Sequence, residues 1–221
     1  MKKLLVLIVL AFAIVTAQAQ EEGNLGVFAG ASSYYGELNS YIPFYSPSYF
    51  AGMVYRHNFK YRYVFKIGVY YVNMRGSSAM AQDLYQQSLN RSFSYSFGEV
   101  HIGGEFNFFR FDKHKRKYYY FTPYLAAGIS FITVPDPYYA FDFSFPLGFG
   151  IKYALSEKIT IGAEINYSWT YSDYLDRIPR DTYISLQQSY NTTPDSYSLF
   201  GLFITYQVFR HQAACPVYTY Y

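Results

Sequence analysis

Apolar and polar positions alternate with a period of two along most of this chain, the spacing of a strand whose two faces meet different surroundings. The clearest run is 159–171. Ile159, Ile161, Ala163, Ile165, Tyr167, Trp169 and Tyr171 fall on one face, and Thr160, Gly162, Glu164, Asn166, Ser168 and Thr170 on the other. The alternation lasts 13 residues, about twice an average soluble strand. A tilted strand crossing a bilayer needs about 9–11 residues. Segment 94–108 repeats the pattern, with Val100, Ile102, Phe106 and Phe108 against Glu99, His101, Glu105 and Asn107. So do 63–73, 118–131, 143–153 and 198–208. Weaker segments at 25–31 and 49–56 bring the number of strands to eight. In 49–56 the pattern does not assign the faces.

The connections alternate in length. Short ones lie near 57–62, 110–117 and 155–157, and long ones near 32–48, 75–92, 132–142 and 172–196. The polar faces are rich in Gly, Ser and Thr, and the apolar faces carry large aliphatic and aromatic residues with almost no charge. A soluble barrel would turn the large apolar side chains inward. Three features oppose that arrangement. Small residues suit the cramped interior of eight strands. The apolar face is nearly uncharged. Aromatics gather near strand ends, at 118–121, at Phe106, Phe108 and Phe109, and at Tyr167, Trp169 and Tyr171, as in an interfacial girdle. The predicted fold is all-β: a transmembrane antiparallel up-and-down β-barrel of eight strands, of outer-membrane type. Its lipid-facing surface makes the outer-membrane lipid a partner. Short turns are periplasmic in such barrels and long loops extracellular. Both chain ends are then expected on the periplasmic side.

Composition sharpens this reading. Among 221 residues there are 29 Tyr, 21 Phe and 1 Trp, while charged residues are 15%, against about 25% in an ordinary soluble domain. Mean hydropathy is −0.06, so the apolar residues are patterned rather than massed. A chain this aromatic is not disordered. A net charge of +3 is too small to suggest nucleic acid, and no nucleic-acid partner is expected. One Cys, Cys215, precludes an intrachain disulfide. Residues 1–19 read as a signal peptide: Lys2 and Lys3, an apolar run, then Ala17-Gln18-Ala19. The expected organisation is a signal peptide at 1–19, the barrel at 20–211 and a periplasmic tail at 212–221.

If the small polar faces point inward, the lumen holds Arg56, Lys66, Glu99, His101, Glu105, Lys152 and Glu164. Buried charges must pair, so a plug of ion pairs is expected; a narrow proton or ion path is the functional alternative. Of the four His, none falls in a long connection, so no Ser–His–Asp arrangement is available at the outer rim. There is no metal-ligand spacing, phosphate-cradling Gly loop or C-x-x-C pair. No catalytic residue, metal or cofactor is expected, and the protein is read as non-enzymatic. Lys113, Lys115, Arg116 and Lys117 make one short turn basic, either as a solvated hairpin or as a docking patch for a periplasmic partner.

A series of motifs resembles one family in order. Gly30-Ala31-Ser32-Ser33-Tyr34-Tyr35-Gly36-Glu37-Leu38-Asn39 is similar to the opening G-x-S-x-Y-Y-G-D-L-N of the PorG-like outer-membrane barrels. Tyr55-Arg56-His57-Asn58-Phe59, Glu105-Phe106-Asn107-Phe108 and Phe121-Thr122-Pro123-Tyr124-Leu125 resemble its first turn and middle strands. The run 145–153 resembles its sixth strand, and Asp173, Tyr174, Leu175 and Asp176 its T-D-Y-L-D-D-V stretch. Arg177 stands where the family tends to carry a further acid. The resemblance implies a component of the type IX secretion system, anchoring or aligning a periplasmic ring of PorK- and PorN-like proteins. The alternative is an adhesion or structural barrel whose long Tyr-rich loops bind ligands or surfaces.

Overall fold

A computed structural model describes residues 22–35, 47–59, 61–77, 92–112, 119–134, 140–171 and 196–209. The strands are β1 (Glu22–Tyr35), β2 (Ser48–Asn58), β3 (Tyr63–Ser77), β4 (Ser92–Asn107), β5 (Phe121–Val134), β6 (Ala140–Ala154), β7 (Ile159–Thr170) and β8 (Ser196–Phe209). Each pairs antiparallel with the next, and β8 returns to β1, closing the barrel. Closure leaves no open edge, so every strand has a ladder partner on both sides. Glu22 and Phe209 lie at the same end of the barrel as the short turns, with Gly23 paired to Phe209. The predicted signal peptide at 1–19, the basic turn residues Lys113, Lys115, Arg116 and Lys117, the stretch Asp173–Asp176, and the tail with Cys215 lie outside the described residues.

The strands run further toward the long connections than the alternation indicates. β1 continues to Tyr35, β3 to Ser77 and β5 to Val134, and the ladder extends as far as the pairs Ser77↔Ser92 and Tyr35↔Ser196. Ser32-Ser33 and Arg75-Gly76-Ser77 are polar or small on both faces, so hydrophobic periodicity fades there while backbone pairing does not. The structure also settles the faces of β2. Phe50, Val54 and Arg56 are buried inside, while Tyr49, Ala51 and Met53 face out. Both faces are apolar over most of this strand, which is why the pattern could not separate them.

Every strand turns large apolar side chains outward: Val27, Met53, Val69, Ile102, Leu125, Leu147, Ile165 and Leu202 are all exposed. Inward, the same strands bury Arg56, Lys66, Glu105, Lys152 and Glu164. A soluble barrel has the reverse polarity. A continuous apolar belt outside charged side chains is the arrangement of a barrel solvated by lipid.

The interior is less small-sided than the composition of the polar faces suggests. Phe28, Phe50, Tyr70, Phe97, Tyr124, Tyr197 and Phe203 are buried within the bore. Room for several of these rings comes from glycines directly across the ladder. Tyr124 pairs with Gly150, Phe203 with Gly162, and Phe28 and Tyr70 both with Gly52. A Cβ on Gly150 would stand 2.6 Å from the Tyr124 ring. The rings of Tyr124, Phe203 and Tyr70 each lie against a glycine of the next strand, a cross-strand fit that also pins register.

Two substitutions test this account in refolding measurements on lipid vesicles. Leu147→Arg, in the middle of the belt, is expected to destabilise the barrel by about 2–4 kcal/mol, and Leu155→Arg at the rim by about 0–1. Gly150→Val is expected to cost about 1–3 kcal/mol by overpacking against Tyr124.

Candidate functional site

Three of the charged side chains in the bore have a glycine across the ladder. Lys66 on β3 stands opposite Gly103, Lys152 on β6 opposite Gly162, and Glu164 on β7 between Gly150 and Gly201. The long side chains therefore reach across the bore instead of crowding their own wall. Arg56 and Lys66 are direct partners in the β2–β3 ladder. Two like charges so placed repel, and they need a shared counter-charge.

Glu164 supplies it. Its Oε2 accepts from Arg56 Nη2 at 2.9 Å, and its Oε1 accepts from Lys66 Nζ. The Tyr124 hydroxyl donates to Oε2, and Asn166 Nδ2 donates to Oε1 at 2.6 Å. Four donors saturate the lone pairs of this carboxylate. Arg56 extends the network through Nε, which lies 2.9 Å from Glu105 Oε1. Glu105 Oε2 in turn accepts from Lys152 Nζ, which also donates to Asn107 Oδ1 at 3.2 Å. One planar guanidinium thus binds carboxylates on two different strands, a reach that a lysine ammonium lacks.

Aromatic faces complete the cage. The Arg56 guanidinium lies 3.9 Å from the centre of the Phe203 ring, Lys152 Nζ 4.1 Å from that of Tyr124, and Lys66 Nζ 5.7 Å from that of Phe28. These are cation–π distances. With Phe28 on β1 and Phe203 on β8, every strand contributes a side chain to the plug.

Two of the seven lumen residues read from sequence stand apart. Glu99 and His101 occupy β4 nearer the long connections. Glu99 hydrogen-bonds Ser130 and Tyr197 rather than a cation, and its Oε2 is buried without a partner. His101 Nδ1 lies 3.1 Å from Ser130 Oγ, and its Nε2 is likewise buried and unpartnered. The expectation that all the charges pair with one another therefore fails at Glu99. Alternation says which face a residue occupies but not its depth along the bore. Above this layer the bore is filled by Tyr34, Val72, Met74, Phe97, Ile132 and Leu199. Sequence reasoning missed this apolar layer. Its signal was the loss of alternation, as in Val69-Tyr70-Tyr71-Val72, where both faces are apolar.

On the outer wall, a hollow of about 530 Å³ opens where Gly104 and Ala127 sit among Phe65, Phe106, Leu125 and Leu147. Its lining is almost wholly apolar, as suits a lipid chain. Among the described residues, no group of three or more His, Cys, Asp or Glu is placed to hold a metal ion.

A family model described as "Domain of unknown function (DUF6089)" matches residues 2–217. No curated protein matches the chain. Among solved structures, the N-terminal β-barrel domain of OprF from Pseudomonas aeruginosa is similar at 8% identity, over 85% of this chain and 97% of that one, with a TM-score of 0.48. Neisserial surface protein A is similar at 12% identity, over 83% of this chain and 96% of that one, with a TM-score of 0.47. The outer membrane protein AlkL, whose structure was determined in lipid bilayers, is similar at 12% identity, over 89% and 93%, with a TM-score of 0.39.

The plug makes a measurable prediction. Glu164→Gln is expected to cost about 3–5 kcal/mol of unfolding free energy, because it leaves Arg56 and Lys66 opposed without their counter-charge. Adding Lys66→Met should recover a large part of that loss. Urea unfolding in detergent micelles reads both, and an unchanged midpoint in Glu164→Gln would contradict the assigned role.

Proposed function

The chain belongs to the DUF6089 family, and from its barrel and plug we infer that it is a non-enzymatic outer-membrane component of the type IX secretion machinery. The observation that carries this reading is the filled bore. Ion pairs from Arg56 to Lys152 occupy the half nearer the short turns, and aromatic and aliphatic side chains occupy the other half. A barrel whose centre is occupied by its own side chains acts through its surface and rims. The apolar belt argues for the bilayer as its solvent.

The rim carrying the short turns is the side for a periplasmic partner. Glu22 and Phe209 meet there, so both ends of the barrel point the same way. The basic residues Lys113, Lys115, Arg116 and Lys117 belong to a connection on that rim. The motif series from Gly30 to Asp176, which resembles the PorG-like barrels, supports a PorK- and PorN-like ring as the partner. The His101–Ser130 pair does not argue for catalysis, because it is enclosed within the bore.

A second reading rests on the opposite rim. The connections between β1 and β2 (36–47), β3 and β4 (78–91), β5 and β6 (135–139) and β7 and β8 (171–195) all leave there; the one between β5 and β6, expected to be long, is short because both strands extend into it. They hold Tyr41, Tyr45, Tyr174, Tyr183 and Tyr190. Aromatic, amphipathic side chains suit surface binding.

Co-purification separates the two readings. The tagged barrel is expected to retain PorK- or PorN-like proteins from detergent-solubilised envelopes, and its deletion to stop type IX export. If no ring protein is retained and export continues, the secretion role is wrong. Shortening 36–46 and 172–195 without loss of export is expected on the first reading and loss of surface attachment on the second. Planar-bilayer recordings should show no open-channel conductance.

A further inference from the structure

The apolar belt has a gap on one wall. Across β3 to β6 one rung reads Phe65, Gly104, Ala127, Leu147. The rung nearer the short turns reads Tyr63, Phe106, Leu125, Phe149, and the rung on the other side holds Ile67, Ile102 and Ile129. Large side chains thus frame two adjacent small ones, and the hollow of about 530 Å³ lies over them. Gly104 differs from the glycines that make room inside the bore. A Cβ on Gly26, Gly150 or Gly162 would meet another atom at 2.0, 2.6 or 2.2 Å. A Cβ on Gly104 would meet nothing nearer than the Val64 carbonyl oxygen, 3.9 Å away. A side chain fits there without displacing any part of this chain, so its absence makes room for something outside the chain.

The hollow lies in the half of the belt beside the short turns. Phe59 and Tyr63 line its edge and bracket a turn that carries the exposed Arg62. The β4–β5 connection comes onto the same rim. Phe111 N donates to Tyr61 O at 3.3 Å, and the Arg110 guanidinium lies 3.7 Å from the centre of the Tyr61 ring. In sequence these two connections hold Lys60, Arg62, Arg110, Lys113, Lys115, Arg116 and Lys117 against Asp112 alone. The turn between β6 and β7 balances Glu157 with Lys158. Positive charge is therefore concentrated over the wall that carries the hollow. Apolar space at bilayer depth beneath a cationic rim suits a molecule with an acyl chain and a negative head. A second copy seated in the hollow would share the same membrane orientation and bring two basic rims together, where like charges repel.

We propose that the hollow holds one acyl chain of an anionic glycerophospholipid from the leaflet on the short-turn side, with its phosphate drawn to Arg62 and the adjoining basic connection. The acyl chain fills the space over Gly104 and Ala127, and the headgroup charge selects this lipid over neutral ones.

Native mass spectrometry of the full barrel in neutral detergent tests this, with phosphatidylglycerol and phosphatidylcholine of identical acyl chains added in equal amounts. One phosphatidylglycerol should be retained in preference. Gly104→Leu fills the hollow and should abolish that retention without lowering the thermal unfolding midpoint in the same detergent. Arg62→Gln should reduce the preference about fivefold, the weight of one cation at an anionic membrane surface. If Gly104→Leu does not refold, Ala127→Leu fills the hollow from the neighbouring strand. The proposal is overturned by equal retention of the two lipids, by undiminished retention in the filled variant, or by a dimer that the filled variant loses.

Discussion

Arg56 and Lys66 face each other across one rung of the β2–β3 ladder, and the barrel depends on the carboxylate that lies between them. Without Glu164 the rung would press two buried cations together in a confined bore. With it, repulsion becomes a bridge, and β7 is drawn to the opposite wall. Arg56 carries the bridge onward to Glu105, and Glu105 to Lys152. The plug is therefore one connected network rather than a set of separate pairs. A buried ion pair by itself is weak evidence for stability. This network also fixes which strands sit across from which, a geometric role that apolar filling would perform less specifically.

The second constraint is space. A bore of eight strands admits little beyond its own side chains, yet this one encloses several aromatic rings. The conflict is resolved across single rungs: a ring on one strand lies over a glycine on its neighbour, as at Tyr124 and Gly150. The same rings take up positive charge. Tyr124 faces Lys152, and Phe203 faces Arg56. Packing and electrostatics are thus served by the same residues.

The fold was legible because each strand meets two media, so the faces of β4, β6 and β7 could be read from alternation alone. Legibility failed where the two faces became alike. In β2 both faces are apolar, and at Ser32-Ser33 of β1 and Arg75-Gly76-Ser77 of β3 both are polar or small. The lumen residues were legible as a set, because ionisable side chains on the small-residue face have nowhere else to go. Their grouping was not. Glu99 and Glu105 share a face of one strand, and only depth along the bore separates a plug carboxylate from one bonded to hydroxyls. The aromatic cage around the cations was hidden for a related reason. In a period-two reading, Phe203 and Phe28 look like residues on the wrong face.

The contacts that hold the plug span long stretches of chain. Arg56 reaches Glu105, 49 residues on, and Glu164, 108 residues on. In chain order, the β2–β3 hairpin brings two cations together well before β7 supplies their counter-charge. The early sheet is therefore electrostatically unfinished, and its inner face has reason to stay hydrated until late. The charge layout thus acts as a checkpoint: a sheet that closed with β7 out of register would trap unpaired ions, and that cost disfavours the wrong barrel.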